Sequence, residues 1–241
     1  MPVGGNGFFF DPMYLLFLAP ALLLAWYAQS RVQGAYAKYS QVRNSRNMTG
    51  ADVARLLLPS ENLQNVSVET VPGRLSDHYD PQSNILRLSP DIAQQPSVAS
   101  MAVAAHEIGH AEQDRDGYLW MKVRSGIVPI VQIGSQFGYL VFFGGLLAQI
   151  PSIAWIGILM FSAGAIFSLI TLPVEFDASS RALRMLNDNQ IVTSREEYAA
   201  AKDMLSAAAL TYVAGAAQAV LTIAYYVFIL LGSSRRQNSD Y

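Results

Sequence analysis

The 241-residue chain contains no cysteine, so neither a disulfide framework nor a thiolate metal site is open to it. Charge is scarce as well: Asp, Glu, Lys and Arg make up 14% of residues against 52% hydrophobic ones, a balance unlike that of ordinary soluble domains. With a net charge of −2 and no cluster of Lys and Arg among aromatics, the chain has no face for nucleic acid. No Lys or Arg precedes the first apolar run, and Asp11 does, which argues for a retained anchor rather than a cleaved signal peptide. Internal repeats and low-complexity segments are absent too.

What is plentiful is apolar sequence in long runs. Those around Met13 to Gln29, Gly126 to Ile150, Ile153 to Pro173 and Leu205 to Leu231 are long enough to cross about 30 Å of hydrocarbon, which takes roughly 20 residues. Only Pro151-Ser152 separates the second from the third, which predicts a helical hairpin turning near Gln149 to Ser152. Every Lys and Arg except Arg235 and Arg236 falls between Arg31 and Arg124 or between Arg181 and Lys202. The positive-inside rule therefore predicts both segments in the cytoplasm and both termini outside.

Between the spans the period of the apolar residues changes. Polar Arg31 to Arg46 continues the anchor helix. Thr49 to Leu58 reads as a helix with Thr49 as N-cap, Asp52 in its first turn, a stripe at Val53, Leu56 and Leu57, and Pro59 closing it. Val66, Val68 and Thr70, then Ile85, Leu86 and Leu88, predict two or three short strands, with turns at Pro72-Gly73 and Asp80-Pro81. Ser97 to Gly117 is again helical, with Val98, Met101, Ala102 and Ala105 apolar and Gly117 a natural stop. Its charged end, Glu112-Gln113-Asp114-Arg115-Asp116, is unsuited to a bilayer. Val174 to Leu186 and Ser194 to Ala209 are two further helical stretches, joined at Asn187-Asp188-Asn189.

The helix over Ser97 to Gly117 contains His106-Glu107-Ile108-Gly109-His110. Residues four apart stand one turn above each other on a helix, so both imidazoles can reach one metal ion, with Glu107 beside its open position as general base. Catalytic zinc takes three protein ligands and leaves a fourth position for water. A third His six residues after His110 is not available, because Asp116 stands there and Gln113 replaces the glycine that pattern needs. His78 is one candidate; a lone strand His is more often structural. Glu175 is the better one: an acidic pair, Glu175 and Asp177, just past a span is costly at the interface unless it has a partner. The plainer reading makes both acids N-terminal helix charges worth about 0.3–1 kcal/mol. Two spans separate His110 from Glu175, and an even number of crossings returns the chain to the same membrane face.

The segments H-E-I-G-H-A-E-Q, L-P-V-E-F-D-A-S-S-R-A and L-S-D-H-Y-D-P followed by L-R-L-S together resemble the YugP-type neutral zinc metallopeptidases of bacterial membranes. The resemblance runs from Asp11-Pro12 through the last span, and more loosely the chain is similar to the gluzincins, among them the HtpX-type and CAAX-prenyl membrane proteases. It implies a predominantly α integral membrane protein with about four transmembrane helices and a cytoplasmic α+β gluzincin-like zinc protease domain with a small β-sheet. It also implies one Zn2+ per chain on His106, His110 and Glu175, Glu175 falling on the family's ligand glutamate. Ser179 replaces the Asp of the wider family's later block, which leaves Asp177 as a substitute carboxylate behind a zinc-bound His. His78 and Tyr79, or Arg181 and Arg184, are the donors available to a developing oxyanion. By the same resemblance the strand Asn84 to Leu88 is the substrate-binding edge.

The expected organisation is an N-terminal segment and anchor (residues 1–30), a cytoplasmic catalytic region (31–125), a transmembrane hairpin (126–173), cytoplasmic helices bearing the third ligand (174–204), and a last transmembrane helix with its tail (205–241). The expected protein is a multi-pass zinc metalloendopeptidase of the bacterial inner (plasma) membrane, its site facing the cytoplasm, with a protein or peptide substrate and membrane lipid as partners. Two other readings stand beside it. An intramembrane protease predicts that Glu112 and Asp114 are shielded from aqueous reagents; a non-catalytic scaffold or chaperone with a structural zinc predicts that Glu107 tolerates replacement. Gly134, Gly138, Gly144, Gly145, Gly157, Gly164 and Gly215 invite close helix packing, either within the chain or in a homo-oligomer or with a regulatory membrane partner.

Overall fold

The computed structural model describes residues 12–237; the side chains of Arg235 and Arg236 and residues 1–11, including Asp11, lie outside the description. Among the described residues, four helices are long and apolar enough to cross a membrane: α1 (Pro12–Tyr39), α5 (Leu119–Leu147), α6 (Pro151–Asp188) and α7 (Arg195–Gln237). Between α1 and α5 lie α2 (Gly50–Ser60), β1 (Ser67–Thr70), β2 (His78–Asp80), β3 (Ile85–Leu88), α3 (Pro90–Gln94) and α4 (Val98–Arg115). The described residues divide into two compact units: those up to 27, 123–170 and from 212 on form one, and residues 28–122 and 171–211 the other.

In the first unit apolar side chains face outward, among them Leu16, Leu23, Ile130 and Leu159, as lipid-facing helices require. Phe142, Ala154, Ile158 and Leu230 form its interior, with the Phe142 and Tyr226 ring centroids 4.6 Å apart. The α5–α6 hairpin is tight because a Cβ at Gly157 would run into the backbone of Phe142, and one at Gly145 into that of Ala154. Gly134 and Gly138 also face α6 across that hairpin, whereas Gly144, Gly164 and Gly215 meet nothing within 4 Å.

In the second unit Thr49 caps α2 through a capping box with Asp52. Pro59 does not end α2 but sits in its last turn, where the amides of Glu61, Asn62 and Leu63 take over the closing hydrogen bonds. The sheet has the order β1-β3-β2, with β1 parallel and β2 antiparallel to β3. β3 buries Leu86 and Leu88 against Leu57, Ile92, Met101 and Ile108, each such side chain contributing about 1.5–3 kcal/mol. The expected free edge at Asn84 to Leu88 is therefore wrong: both sides of β3 are taken, and β1 and β2 are the edges. Pro173, where the expected hairpin ends, lies inside a continuous helix, since a proline inside such a helix removes one backbone bond without ending it. The short helix α3 was not foreseen, as its five residues carry no readable period.

Candidate metal centre

α4 begins at Ser97, whose Oγ accepts the Ser100 N–H at 3.0 Å. Its first two turns are largely apolar, with Ala99, Met101, Ala102, Ala104 and Ala105 all buried. Gly109 faces α6, where a Cβ would lie 2.6 Å from the Ala178 carbonyl oxygen. Only glycine lets the two helix backbones come this close.

The approach brings α6 side chains onto the histidines. Glu175 Oε2 lies 3.3 Å from His106 Nε2 and 3.6 Å from His110 Nε2, and the three residues offer ligand atoms all within 4.8 Å of one another. Tetrahedral zinc with nitrogen and oxygen ligands at about 2.0–2.2 Å sets its donors about 3.4 Å apart, so the set fits that ion in spacing and chemistry. The imidazoles stand edge to face, centroids 4.8 Å apart. Their other nitrogens are held too: His106 Nδ1 lies 3.2 Å from Ser179 Oγ and His110 Nδ1 lies 3.0 Å from Gln113 Oε1. Burial pushes the His110 imidazole down, but the Glu175 and Glu107 carboxylates and Gln113 outweigh it and hold its proton affinity above the ordinary value.

Glu107 is nearly buried, and its Oε2 accepts the backbone N–H of Tyr79 at 3.1 Å. That amide belongs to β2, which has β3 on one side only. Asp77, just before β2, accepts the Ser89 amide at 2.7 Å and also its hydroxyl. Burial raises the Asp77 carboxyl above the usual range, and the nearby Glu107 charge adds to the rise.

The remaining sequence candidates lie as follows. His78 is exposed on β2, with Nδ1 on the Ser76 carbonyl at 2.8 Å and Nε2 toward Arg87 at 3.3 Å; among the described residues it is not part of the metal-ligating group. Tyr79 meets the site through its backbone, its hydroxyl lying 3.0 Å from Asp114. Burial and the Asp114 charge push that phenol's pKa up. Arg181 is committed to Asp177 at 2.6 Å and Asp116 at 2.7 Å, and Arg184 to both oxygens of Glu112 at 2.5 and 2.6 Å. These guanidiniums tie α4 to α6 instead of standing free for an oxyanion. Asp177 also accepts from Gln113 Nε2 at 2.8 Å. Glu112 and Gln113, in the charged end of α4, are buried in protein, so shielding of Glu112 from reagents does not signal a bilayer. Sequence reasoning missed Gln113 and Asp77. The spacing of Gln113, three residues past His110 on a helix, was the available signal.

Residues 14–231 match the family described as "Putative neutral zinc metallopeptidase". The chain is 41% identical over 220 residues to the Bacillus subtilis (strain 168) protein named "Putative membrane protease YugP", the match covering 91% of this chain and 97% of that one. No solved structure matches.

Proposed function

We propose, from the premise that the chain belongs to this neutral zinc metallopeptidase family, that it is a membrane-anchored endopeptidase with Glu107 as general base. The observation behind this reading is the three-donor set His106, His110 and Glu175 with Glu107 on the same helix. Structural zinc sites close with four protein ligands, whereas three donors leave room for a reacting group. That favours catalysis over a scaffold holding zinc for structure.

Zinc held there supplies a Lewis acid for the peptide carbonyl and a water acidified to a pKa of about 7. Everything else falls to the chain. His106 and His110 present Nε2 because Ser179 and Gln113 engage their Nδ1 atoms. Glu107 is aimed by the Tyr79 amide on one carboxylate oxygen; it takes the proton of the attacking water and delivers it to the departing amine. An extended peptide backbone pairs along the edge strand β2 rather than the enclosed β3, through groups other than the Tyr79 amide, which Glu107 holds. Recognition through main-chain bonds brings weak side-chain selectivity.

The order of ligands, two His on one helix and a Glu on a later one, makes this a small gluzincin-like centre. Its cytoplasmic orientation rests on the Lys and Arg of residues 31–124 and 181–202. Glu107→Gln keeps the shape of the side chain and removes the base. The purified variant is expected to hold zinc like the wild type and to lose casein cleavage by 100-fold or more, on the order of what a general base contributes. Wild-type turnover by the zinc-loaded variant rejects the mechanism.

A further inference from the structure

Gln113 is fully buried, and every polar atom of its amide has a partner. Nε2 lies 2.8 Å from the Val174 carbonyl oxygen and 2.8 Å from Asp177 Oδ2, while Oε1 lies 3.0 Å from His110 Nδ1. A primary amide has two N–H donors at one end and an acceptor at the other. The Val174 carbonyl can only accept. Asp177, paired with the Arg181 guanidinium at 2.6 Å, is a carboxylate and only accepts as well. The NH2 group must therefore face α6, and the carbonyl must face the imidazole. A carbonyl cannot donate, so His110 Nδ1 carries the hydrogen. In a neutral imidazole the lone pair then sits on Nε2, the nitrogen that faces Glu175 at 3.6 Å.

We propose that Gln113 is a positioning residue that sets the tautomer of His110 and, through Nδ1, ties the imidazole to the turn of α6 that bears Glu175. The tie is short in sequence on both sides. Gln113 is three residues from His110 on α4, and Val174 is next to Glu175 on α6, so one side chain couples the direction of one donor to the height of another. Arg181, through Asp177, keeps the far end of this relay an acceptor. His106 is held differently: its Nδ1 partner is the Ser179 hydroxyl at 3.2 Å, which can donate or accept and so imposes no tautomer. The two histidines thus differ in how firmly they are set before any metal arrives. The inference rests on reading His110 and Glu175 as zinc ligands.

The test uses the full-length protein in detergent, stripped of metal by a chelator and labelled with 15N-histidine. The chain has only three histidines, so their imidazole signals can be assigned by single substitution. At a pH high enough that the His110 signals no longer shift and its imidazole is neutral, His110 is expected as the Nδ1–H tautomer. In Gln113→Met, similar in size but without an amide, that preference is expected to collapse. Its zinc Kd, measured by competition with a chromophoric chelator, is expected to rise about 10- to 100-fold. Gln113→Glu keeps an acceptor for His110 but has no donor for Val174 or Asp177; it is expected to retain the tautomer and still bind zinc more weakly. An Nε2–H tautomer in the wild-type apoprotein overturns the proposal, and so does a Kd within twofold of wild type in a folded Gln113→Met. The wild-type tautomer decides the matter if both variants fail to fold. It is read without metal or substrate, so a wild-type protein that binds no zinc would sink the metallopeptidase reading separately.

Discussion

Each imidazole of the H-E-I-G-H segment is gripped at both nitrogens, one facing Glu175 and the other a neutral polar partner. The two histidines and Glu107 are legible in the sequence because a four-residue spacing on a helix is a local fact. Ser179 reads there as a gap, the place of a missing carboxylate. In the structure its hydroxyl reaches His106 directly, and Asp177 acts at one remove, through Gln113. Which acid or hydroxyl meets which imidazole depends on the rotation of α6, which no local pattern encodes. Ser179→Ala removes the His106 partner without changing the ligands. It is expected to weaken zinc binding by about tenfold, read by chelator competition; affinity within twofold of wild type means the hydroxyl is a bystander.

At the scale of elements, the site depends on how closely α4 and α6 pack. Gly109 sets that distance, since its missing side chain leaves the Ala178 carbonyl room. Gly109→Ala puts a methyl group 2.6 Å from that oxygen, so one helix must move. Overpacking of this kind costs about 1–3 kcal/mol, and the displacement carries Glu175 away from the histidines. The expected result is a lower Tm together with weaker zinc binding; an unchanged Tm and affinity count against the close approach. The long helices, the α2 cap and the strand runs are legible because apolar period and capping chemistry are written in neighbouring residues. Strand order is not. β3 becomes the central strand because β1 reaches it in parallel from outside the β2–β3 pair, a crossover that alternation in the sequence does not announce.

For the whole molecule, the proposed reading depends on topology: it requires that two crossings between His110 and Glu175 return the chain to one membrane face. The absence of cysteine makes this directly testable. Ser67→Cys on β1 and Gln149→Cys between α5 and α6 are both exposed positions. A membrane-impermeant maleimide applied to intact cells is expected to label Cys at 149 and to spare Cys at 67 until the membrane is opened; the reverse pattern inverts the proposed orientation. The donors themselves come from elements 69 residues apart, so metal content reports on the assembly as well as on the site. Elemental analysis of the purified wild type beside Glu175→Ala is the most direct measurement. One zinc per wild-type chain and a severe loss in the variant is the predicted result. Equal zinc in both proteins would contradict a centre built from His106, His110 and Glu175.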